Sequence, residues 1–388
     1  MSKILYKFVD NIDNIIQYGS SRNINIVNNL DEYNNNFDIE YEKICKNKYT
    51  PSILNKVQRI VVFGDIHGDY NLIKKLLLMS KVVEINLINN QEQFKWIGNK
   101  TYVVQVGDQI DRCRPIASNQ TCDNPNTTLN DENSDFYILK LMTDLDNQAK
   151  KVGGRVISLL GNHEIMNSLG YMDYVSYKGL EGFKKYKDIK NPNKKFKNGL
   201  DARKYAFAPG HDIGTFLGCT RDPAIIIGSN LFVHAGLIDG FMNEIGLDNK
   251  QDFETINIAI RKWLLGLLDV KFVNKIINGS ESMFWTRLLG NIPENTPLND
   301  PVCINNLNKV LQVFRIDNMI IGHTPQSFIF SDNINGTCDN KIWRVDNGSS
   351  AAFDKFDLKL SQTGKIENSR RPQYLEILND NEFIVHDN

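Results

Sequence analysis

Residues 59–70 read Arg-Ile-Val-Val-Phe-Gly-Asp-Ile-His-Gly-Asp-Tyr, and this stretch decides the fold. It opens with a short apolar run rich in β-branched residues, which is typical of a buried strand. The run ends at Gly64, and Asp65 and His67 follow it directly. A carboxylate and an imidazole just past a strand can both point into the crevice where α/β sheets bind ligands. Taken alone, the stretch is equally consistent with a strand followed by a polar turn.

The same construction recurs at four later places in the chain, where a β-rich run meets a glycine-containing polar segment. The four segments are Gly107-Asp108-Gln109-Ile110-Asp111-Arg112, Gly161-Asn162-His163-Glu164, His234-Ala235-Gly236-Leu237 and Gly322-His323-Thr324-Pro325. Together with residues 59–70, these strand-end segments contain four of the six histidines of the chain. A hydrogen-bonded core imidazole explains any one of them, but it does not explain four in the same setting. Imidazole, carboxylate and amide donors without thiolates suit manganese, iron or zinc.

Composition and charge limit the classes of protein to which the chain can belong. The chain has 388 residues, of which 41% are hydrophobic and 23% charged, as in ordinary soluble globular proteins. Its formal net charge of −1 gives no global field that would favour nucleic acid or an anionic membrane, so neither is expected as a partner. We find no signal-peptide pattern and no apolar segment of membrane-spanning length. These features predict an intracellular, cytoplasmic protein.

The six cysteines are scattered, at positions 45, 113, 122, 219, 303 and 338, without a Cys-x-x-Cys spacing. In a chain of this size without a signal pattern we expect free thiols in a reducing compartment. The alternative is that Cys113 and Cys122, which bracket a polar loop, pair with each other.

The amino-acid composition of the chain changes near residue 58. Residues 1–57 are rich in Asn, Asp and Lys, and we interpret them as an accessory N-terminal extension with amphipathic segments at 4–16 and 38–46. Residues 58–388 show no internal repeat and no linker, which favours a single catalytic domain. Within it, residues 165–222 are a candidate lid or specificity insertion.

Periodicity gives a coarse secondary structure for the catalytic domain. Helical spacing predicts helices at 71–80 and 135–150 and mostly helical structure over 240–315. Apolar runs predict strands at 155–160, 224–233 and 319–321, and closing antiparallel strands at 341–346 and 374–385. Residues 93–97 and 101–106 are predicted to form a hairpin around Gly98-Asn99.

The ordered set of strand-end motifs resembles the calcineurin-like metallophosphoesterases. Asp111-Arg112 and the intact Gly-Asn-His-Glu resemble the phosphoprotein phosphatase branch more narrowly. His-Ala-Gly-Leu, Gly-His-Thr-Pro-Gln and the segment Trp-Arg-Val-Asp-Asn-Gly at 343–348 are most similar to the Shewanella-like, bacterial-type protein phosphatases. The resemblance covers residues 58–350. It implies an α/β fold, namely a four-layer αββα sandwich with helical insertions.

The resemblance also implies a site for two divalent or trivalent metal ions, manganese, iron or zinc. The implied ligands are Asp65, His67, Asp108, Asn162, His234 and His323. Asp65 and His67 would hold the first ion, and Asp108 would bridge both. A bridging carboxylate agrees with the spacing of about 3.5–4 Å between the ions of two-metal hydrolases.

The remaining implied roles concern the substrate. His163 would protonate the leaving alkoxide or phenoxide, with Asp111 orienting its ring, because ester hydrolysis by a metal-generated hydroxide leaves a group that takes up a proton. Arg112, Arg287 and Asn162 would bind the phosphate, a task suited to the planar fork of an arginine. The alternatives are a surface ion pair for Arg112 and a helix-surface position for Arg287.

One residue departs from the family pattern. Cys113 stands where the family usually has glycine after Asp-Arg, which leaves the path of this loop and the reach of Arg112 open.

The function implied is a dinuclear metal-dependent phosphomonoester hydrolase that acts on phosphoproteins or phosphopeptides, at Ser/Thr or Tyr. One alternative is a nucleotide or dinucleoside-polyphosphate hydrolase built on the same metal core. Another is a catalytically silent scaffold, which predicts missing ligands; none is missing.

Overall fold

The computed structural model describes residues 26–331, 333–361 and 370–387, and its strands form two six-stranded sheets and one hairpin. The strands are β1 (Ile53–Leu54), β2 (Arg59–Phe63), β3 (Val83–Ile88), β4 (Gln91–Trp96), β5 (Tyr102–Gln105), β6 (Arg155–Leu159), β7 (Arg221–Asp222), β8 (Ala224–Ile227), β9 (Asn230–Val233), β10 (Asn318–Ile321), β11 (Asn335–Thr337), β12 (Ile342–Arg344), β13 (Gln373–Leu378) and β14 (Glu382–Asp387). Sheet I has the order β14-β13-β2-β5-β6-β7, and sheet II has the order β1-β8-β9-β10-β12-β11.

The α-helices of the described residues lie mainly between the strands of each sheet in sequence. They are α1 (Ile26–Asp31), α2 (Phe37–Cys45), α3 (Tyr70–Met79), α4 (Asp135–Lys150), α5 (Asn162–Ser168), α6 (Tyr177–Glu181), α7 (Gly199–Phe207), α8 (Asp212–Thr220), α9 (Asp239–Ile245), α10 (Lys250–Leu264), α11 (Val270–Asn278), α12 (Pro301–Phe314) and α13 (Asp354–Ser361). Helices α3 and α4 pack on the outer face of sheet I, and α7 to α12 share one hydrophobic cluster with side chains of β8, β9 and β10 in sheet II.

Alternating side chains of β2 show why the strands stack in layers. Ile60 and Val62 point into the core between the two sheets, whereas Val61 and Phe63 point to α3 and α4. In sheet II, Phe232 of β9 enters the same central core from the other side. Strands buried on both faces lack the polar alternation of a half-exposed strand, which explains their continuous apolar runs. The predicted four-layer αββα sandwich is confirmed.

The predicted hairpin around Gly98-Asn99 is wrong. Strand β4 instead pairs with β3 across a two-residue turn at Asn89 and Asn90, whose φ angles are 52° and 60°. Consecutive positive φ angles suit the tight turns of two-residue hairpins, and asparagine tolerates them. Strand β5 runs parallel between β2 and β6, because its apolar residues are buried in the middle of sheet I.

The single strand predicted at 224–233 is two strands. Strands β8 and β9 run antiparallel, and the chain reverses at Gly228, which has a φ of 61°. Most of the other predicted elements, including the helix at 135–150 and the strand at 155–160, are confirmed. Of the predicted closing strands, β13 and β14 pair antiparallel with each other, and β12 pairs antiparallel with β11 and parallel with β10.

Residues 26–57 pack against the catalytic unit. Strand β1 extends sheet II by pairing with β8, and the predicted amphipathic segment at 38–46 forms α2. The hydroxyl of Tyr41 in α2 lies against the carbonyl of Cys219 at a distance of 2.5 Å. The segment predicted at 4–16 lies outside the described residues.

The prediction of free thiols is wrong, because all six cysteines are paired. The disulfides are Cys45–Cys219, Cys113–Cys122 and Cys303–Cys338, so the alternative for Cys113 and Cys122 is confirmed. The other two pairs join residues 174 and 35 positions apart, which only the tertiary fold brings together. Disulfides are typical of oxidising compartments, so they do not favour the predicted cytoplasmic location. Among the described residues, no helix has both the length and the apolarity needed to cross a bilayer.

Candidate metal centre and active site

The predicted site residues follow strands whose carboxyl ends meet at one edge of the sandwich. Strands β2, β5 and β6 are parallel in sheet I, and β9 and β10 are parallel in sheet II. The loops are tight: His67, Asp108 and His323 adopt positive φ angles of 48°, 52° and 66°. Such strained backbone in non-glycine residues clusters at functional sites. Gly161 is required here, because a side chain at this position would overlap the carboxylate of Asp108.

Two groups of candidate metal ligands share the carboxylate of Asp108. One consists of His67, Asp108 and His163, and the other of Asp108, His234 and His323, with the ligand atoms of each group within 4.8 Å of one another. Oδ2 of Asp108 lies 3.4 Å from Nε2 of His234 and 3.9 Å from Nε2 of His67. All these side chains are buried.

The other two predicted ligands lie in contact with these groups. Oδ1 of Asn162 is 3.0 Å from Nε2 of His234 and 2.9 Å from Nδ1 of His323. Oδ2 of Asp65 is 3.7 Å from Nε2 of His67. The structure therefore brings all six predicted ligands together, with one subset on each side of Asp108.

Backbone carbonyls orient the three imidazoles of this set. Nδ1 of His67 faces the carbonyl of Ile110 at 3.3 Å, and Nδ1 of His234 faces that of Val106 at 2.8 Å. Nε2 of His323 faces the carbonyl of Trp285 at 3.1 Å. Engaging one ring nitrogen in this way directs the other toward an ion, as is usual for metal-binding histidines.

The buried carboxylates of the site repel one another. Burial and the neighbouring Asp346 and Asp108 hold the pKa of Asp65 well above its usual value. Burial acts on Asp108 in the same direction, but the imidazoles of His234 and His163 outweigh it and hold its pKa well below the usual value. Burial also raises the pKa of Asp346 to about 6, and its Oδ2 has no hydrogen-bond partner. Cations relieve such repulsion, so the donor set fits divalent metal ions.

A second network surrounds His163, whose side chain lies beside the shared carboxylate. Its Nδ1 is 2.8 Å from Oδ2 of Asp111, and its Nε2 is 3.8 Å from Oδ2 of Asp108. Nδ2 of Asn167 donates to the same oxygen of Asp111 at 2.8 Å. The fully buried guanidinium of Arg203 in α7 bridges Asp111 at 3.2 Å and Asp135 at 2.8 Å. The orientation of the His163 ring therefore depends on residues from three separate segments.

Glu164 fixes the backbone between the two ligand loops. Its carboxylate accepts hydrogen bonds from the backbone N–H groups of Asp108, Gln109 and Gly161 at 3.0, 2.9 and 2.7 Å. Burial, with Asp108 nearby, raises its pKa to about 7. Through these bonds one carboxylate holds the loop after β5 against the start of α5.

Two arginines after strand β5, Arg112 and Arg114, have different surroundings. The guanidinium of Arg112 pairs with Glu132 at 2.7 Å and donates to the carbonyl of Gly68 at 3.0 Å. This is an ion pair, as in the alternative, but the Arg112 side chain is buried and not on the surface. Arg114 instead reaches the ligands, with NH2 2.7 Å from Nδ1 of His67 and 3.4 Å from Nε2 of His163. The assignment of the phosphate to Arg112 stays a prediction.

Arg287 lies at the opposite side of the ligand set. Its NH1 donates to the carbonyl of His323 at 3.1 Å, so its guanidinium is beside the second ligand group and not on an exposed helix surface. Burial lowers the pKa of Arg287, and the charges of Asp346 and Asp108 oppose this effect.

A model of the Calcineurin-like phosphoesterase family matches residues 58–327. The chain belongs to this family. It is 38% identical over 254 residues to an uncharacterized protein of Acanthamoeba polyphaga mimivirus, which covers 62% of this chain and 95% of the relative. It is 27% identical over 333 residues to Shewanella-like protein phosphatase 2 of Arabidopsis thaliana, covering 79% of this chain and 75% of the relative.

A solved structure shares the fold of this calcineurin-like phosphoesterase. It is the cold-active protein-tyrosine phosphatase of a psychrophilic Shewanella species, with a TM-score of 0.58 and 21% identity over 88% of this chain and 81% of that one. The resemblance to the Shewanella-like phosphatases and the prediction of a hydrolase are confirmed. Divalent metal ions follow from the family and from the ligand groups.

Two residues of the site, Arg203 and Arg114, escaped the sequence analysis. Arg203 lies far along the chain from Asp111 and Asp135, which it bridges, and helix α7 carries no motif that would single it out. Arg114 has a local signal, because it belongs to the unusual run Asp-Arg-Cys-Arg at 111–114. A second arginine beside the departure at Cys113 could have been weighed as a substitute for Arg112.

Proposed function

We propose that this calcineurin-like phosphoesterase is a dinuclear metal-dependent phosphatase of phosphorylated protein side chains. One observation carries the proposal: two ligand groups share Asp108, and His163 of the first group has its Nδ1 held by Asp111, which leaves its Nε2 facing the site. The similarity to Shewanella-like protein phosphatase 2 of Arabidopsis thaliana supports a phosphoprotein substrate.

The proposed metal site uses the six ligands already described. Asp65 and His67 would hold one ion, Asn162, His234 and His323 would hold the other, and Asp108 would contribute to both. When bound, the two ions supply Lewis acidity at the phosphate oxygens and activate water for attack. The identity of the ions is left to experiment, because oxygen and imidazole donors suit manganese, iron and zinc alike.

The chain's own residues would handle the leaving group. In the proposed role His163 donates a proton from Nε2 to the departing oxygen, and the bond to Asp111 keeps the other ring proton on Nδ1. Asn167 and Arg203 hold Asp111 in place, so that the imidazole keeps its orientation through the reaction. Arg287 and Asn162 are proposed to bind the phosphate from the side of the second ligand group.

Aromatic rings border the proposed position of the leaving group. The ring of Tyr174 lies 5.1 Å from that of His163, and the ring of Phe353 lies 5.6 Å from that of His67. Aromatic surroundings accept a phenolic leaving group and also the methyl group of phosphothreonine. The proposal therefore includes both phosphotyrosine and phosphoserine or phosphothreonine, and a direct comparison ranks them.

Metal reconstitution tests the function. Metal-stripped full-length protein receives Mn²⁺, Zn²⁺, Fe²⁺ or Mg²⁺ and is assayed on para-nitrophenyl phosphate, phosphotyrosine and phosphothreonine peptides and a dinucleoside polyphosphate. We expect metal-dependent release of phosphate from at least one peptide. Turnover of the dinucleoside polyphosphate alone would overturn the protein substrate, and silence on all substrates with metal bound would overturn the activity.

A further inference from the structure

The candidate insertion at 165–222 contains a strongly basic stretch, residues 184–197, which we call the lysine segment. It has seven lysines, one aspartate and no arginine, in a chain whose formal net charge is −1. All seven lysines are exposed, and they are Lys184, Lys185, Lys187, Lys190, Lys194, Lys195 and Lys197. The segment is therefore a local positive patch on a chain that is otherwise net negative.

The one acid of the lysine segment faces inward. Asp188 is 4% exposed, and its carboxylate accepts hydrogen bonds from the hydroxyl of Tyr205 at 2.7 Å and from the backbone N–H of Lys190 at 2.9 Å. Among the described residues, one lysine of the segment forms an ion pair, Lys184 with Glu181 at 2.8 Å. The charges of the other six lysines are therefore not neutralised by carboxylates of the described part of the chain.

Aromatic side chains hold the lysine segment in place, although most of it is irregular. The hydroxyl of Tyr186 donates to Oδ2 of Asp212 in α8 at 2.7 Å. The ring of Phe196 lies 5.6 Å from that of Tyr186 and 5.1 Å from that of Tyr205. The ammonium of Lys194 lies 4.5 Å from the ring centre of Tyr205. The backbone of the segment is thus ordered before a partner binds, which lowers the entropic cost of binding.

The lysine segment lies beside the proposed catalytic centre. The ring of Phe183, the residue before the segment, lies 5.4 Å from the guanidinium carbon of Arg203. Arg203 pairs with Asp111, and Asp111 holds His163. Three successive contacts therefore connect the start of the segment to the proposed proton donor. Because an extended peptide covers about 3.3–3.6 Å per residue, residues a few positions from a bound phosphorylated side chain can reach the segment.

The chemistry of the lysine segment favours an acidic peptide over nucleic acid or a membrane. Surfaces that bind single-stranded nucleic acid offer aromatic rings on which bases stack, whereas the rings here pack against one another. Membrane-binding faces carry a row of large apolar side chains, whereas within this segment only Ile189, at 81%, is strongly exposed. A lysine ammonium is a compact charge that pairs with a carboxylate without demanding a fixed geometry, which suits an acidic stretch of variable sequence.

We propose that the lysine segment is a docking surface for aspartates and glutamates that flank the phosphorylated side chain of a protein substrate. The proposal rests on the proposed phosphatase function and adds a sequence preference to it. Acidic flanks are attracted to the segment, which increases the rate of productive encounter beside the metal centre. The insertion at 165–222 then acts as a specificity element.

Matched phosphopeptides test the proposal. Metal-loaded full-length protein is assayed on three peptides that share one phosphothreonine core and differ in four flanking residues, which are all glutamate, all glutamine or all lysine. A second set has a phosphotyrosine core. The segment variant carries the changes Lys185→Gln, Lys187→Gln, Lys195→Gln and Lys197→Gln. The matched control changes the net charge equally at four exposed lysines elsewhere, with Lys48→Gln, Lys100→Gln, Lys140→Gln and Lys151→Gln.

We expect the wild type to prefer the glutamate peptide to the glutamine peptide by about fivefold to thirtyfold in kcat/KM, mainly through KM, because several weak exposed ion pairs act together. The preference should decrease as salt is added, since exposed charges are screened. The segment variant should lose the preference and the control should keep it. All three proteins should hydrolyse para-nitrophenyl phosphate equally well, because this substrate has no flanking residues.

Charge reversal and direct binding give two further readouts. The double variant Lys195→Glu with Lys197→Glu should move the preference toward the lysine peptide, which a purely structural role of the segment does not predict. Fluorescence anisotropy with an unphosphorylated glutamate peptide measures docking without turnover. The wild type and the control should bind this peptide, and the segment variant should bind it at least about fivefold more weakly.

Equal hydrolysis of the three peptides by the wild type, or an equal change of preference in the segment variant and the control, would overturn the proposal. Tighter binding of single-stranded RNA or of phosphatidylserine vesicles than of the glutamate peptide, lost in the segment variant, would replace the acidic peptide by that ligand. If no phosphopeptide is hydrolysed but the glutamate peptide binds through the segment, the phosphatase function fails and the docking of acidic peptides stands.

Discussion

The metal-ligand set and the disulfide-closed loop at 113–122 lie side by side at one edge of the sandwich, but different forces hold them. Each ligand follows a buried strand within a few residues, so strand order and the packing of the two sheets fix its position. The loop follows no strand directly, and a disulfide, a backbone contact to Tyr174 and aromatic stacking hold it. The comparison teaches that the chemistry belongs to the sheets, whereas the contact with the substrate belongs to the loops.

The largest effect should come from the residue that both ligand groups share. We expect Asp108→Asn to lose both metals and to reduce turnover to the level of the metal-free protein, because one neutral amide cannot balance two cations. Elemental analysis of purified protein, beside the exposed control Asp38→Asn, checks this. A variant that retained both metals would show that the ligand set does not depend on a bridging carboxylate.

The next effect separates proton transfer from metal binding. His163→Ala should keep its metal content and lower turnover by roughly 10²–10⁴-fold, the usual contribution of general acid catalysis. The loss should be greatest for substrates with poor leaving groups and least for para-nitrophenyl phosphate. Loss of a metal would instead place His163 among the ligands, and unchanged turnover of a poor leaving group would remove it as the acid.

A third change tests the network behind His163. Arg203→Met leaves Asp111 and Asp135 buried without their cation, and breaking a buried ion pair costs about 3–5 kcal/mol of unfolding free energy. Turnover should fall most for poor leaving groups, as in His163→Ala, while metal content stays unchanged. Urea unfolding and the dependence of rate on leaving group measure both effects. An equal loss for every leaving group would show that Arg203 supports the fold without positioning the acid.

The smallest effects should come from the disulfides, and they distinguish the loop from the rest of the fold. Replacing Cys303 and Cys338 by serine should cost about 2–4 kcal/mol of stability and leave KM unchanged. The Cys113–Cys122 disulfide closes a shorter loop than Cys303–Cys338, so its replacement by serine should cost less stability. KM should nevertheless rise, because the loop that holds Arg114 beside His67 and His163 is released. Thermal unfolding and steady-state kinetics under non-reducing conditions give both quantities. A KM equal to that of the wild type would show that the loop keeps its position without the Cys113–Cys122 disulfide.

The candidate ligands could be predicted from the sequence because each one lies next to a local sequence pattern. A buried β-rich run, a glycine and a polar residue are neighbours in the chain, so the six candidate ligands and His163 stand out in the sequence alone. The αββα layers are implied by the family resemblance, and strands that are apolar on both faces agree with them.

The errors have a common physical origin, which is that their causes are not local. Gly98-Asn99 is a more usual hairpin turn than Asn89-Asn90, so the sequence favours the wrong partner for β4. Only the burial of β5 shows that this strand belongs in the middle of sheet I. The disulfide partners and the bridging position of Arg203 depend on segments far apart in sequence. The motif favours Arg112 for the phosphate, which stays a prediction, and the path of the chain after Cys113 brings Arg114 against His67.

The ligands of the centre come from both sheets, and this has a mechanical consequence. His67 and Asn162 extend from sheet I, and His234 and His323 extend from sheet II, so bound ions would fasten the open edge of the sandwich like a clasp. The stability of the packing between the two sheets would then increase with metal occupancy, because an ion that binds only the folded state stabilises that state. A substitution deep in the central core that lets the sheets slide would be noticed first as a loss of metal.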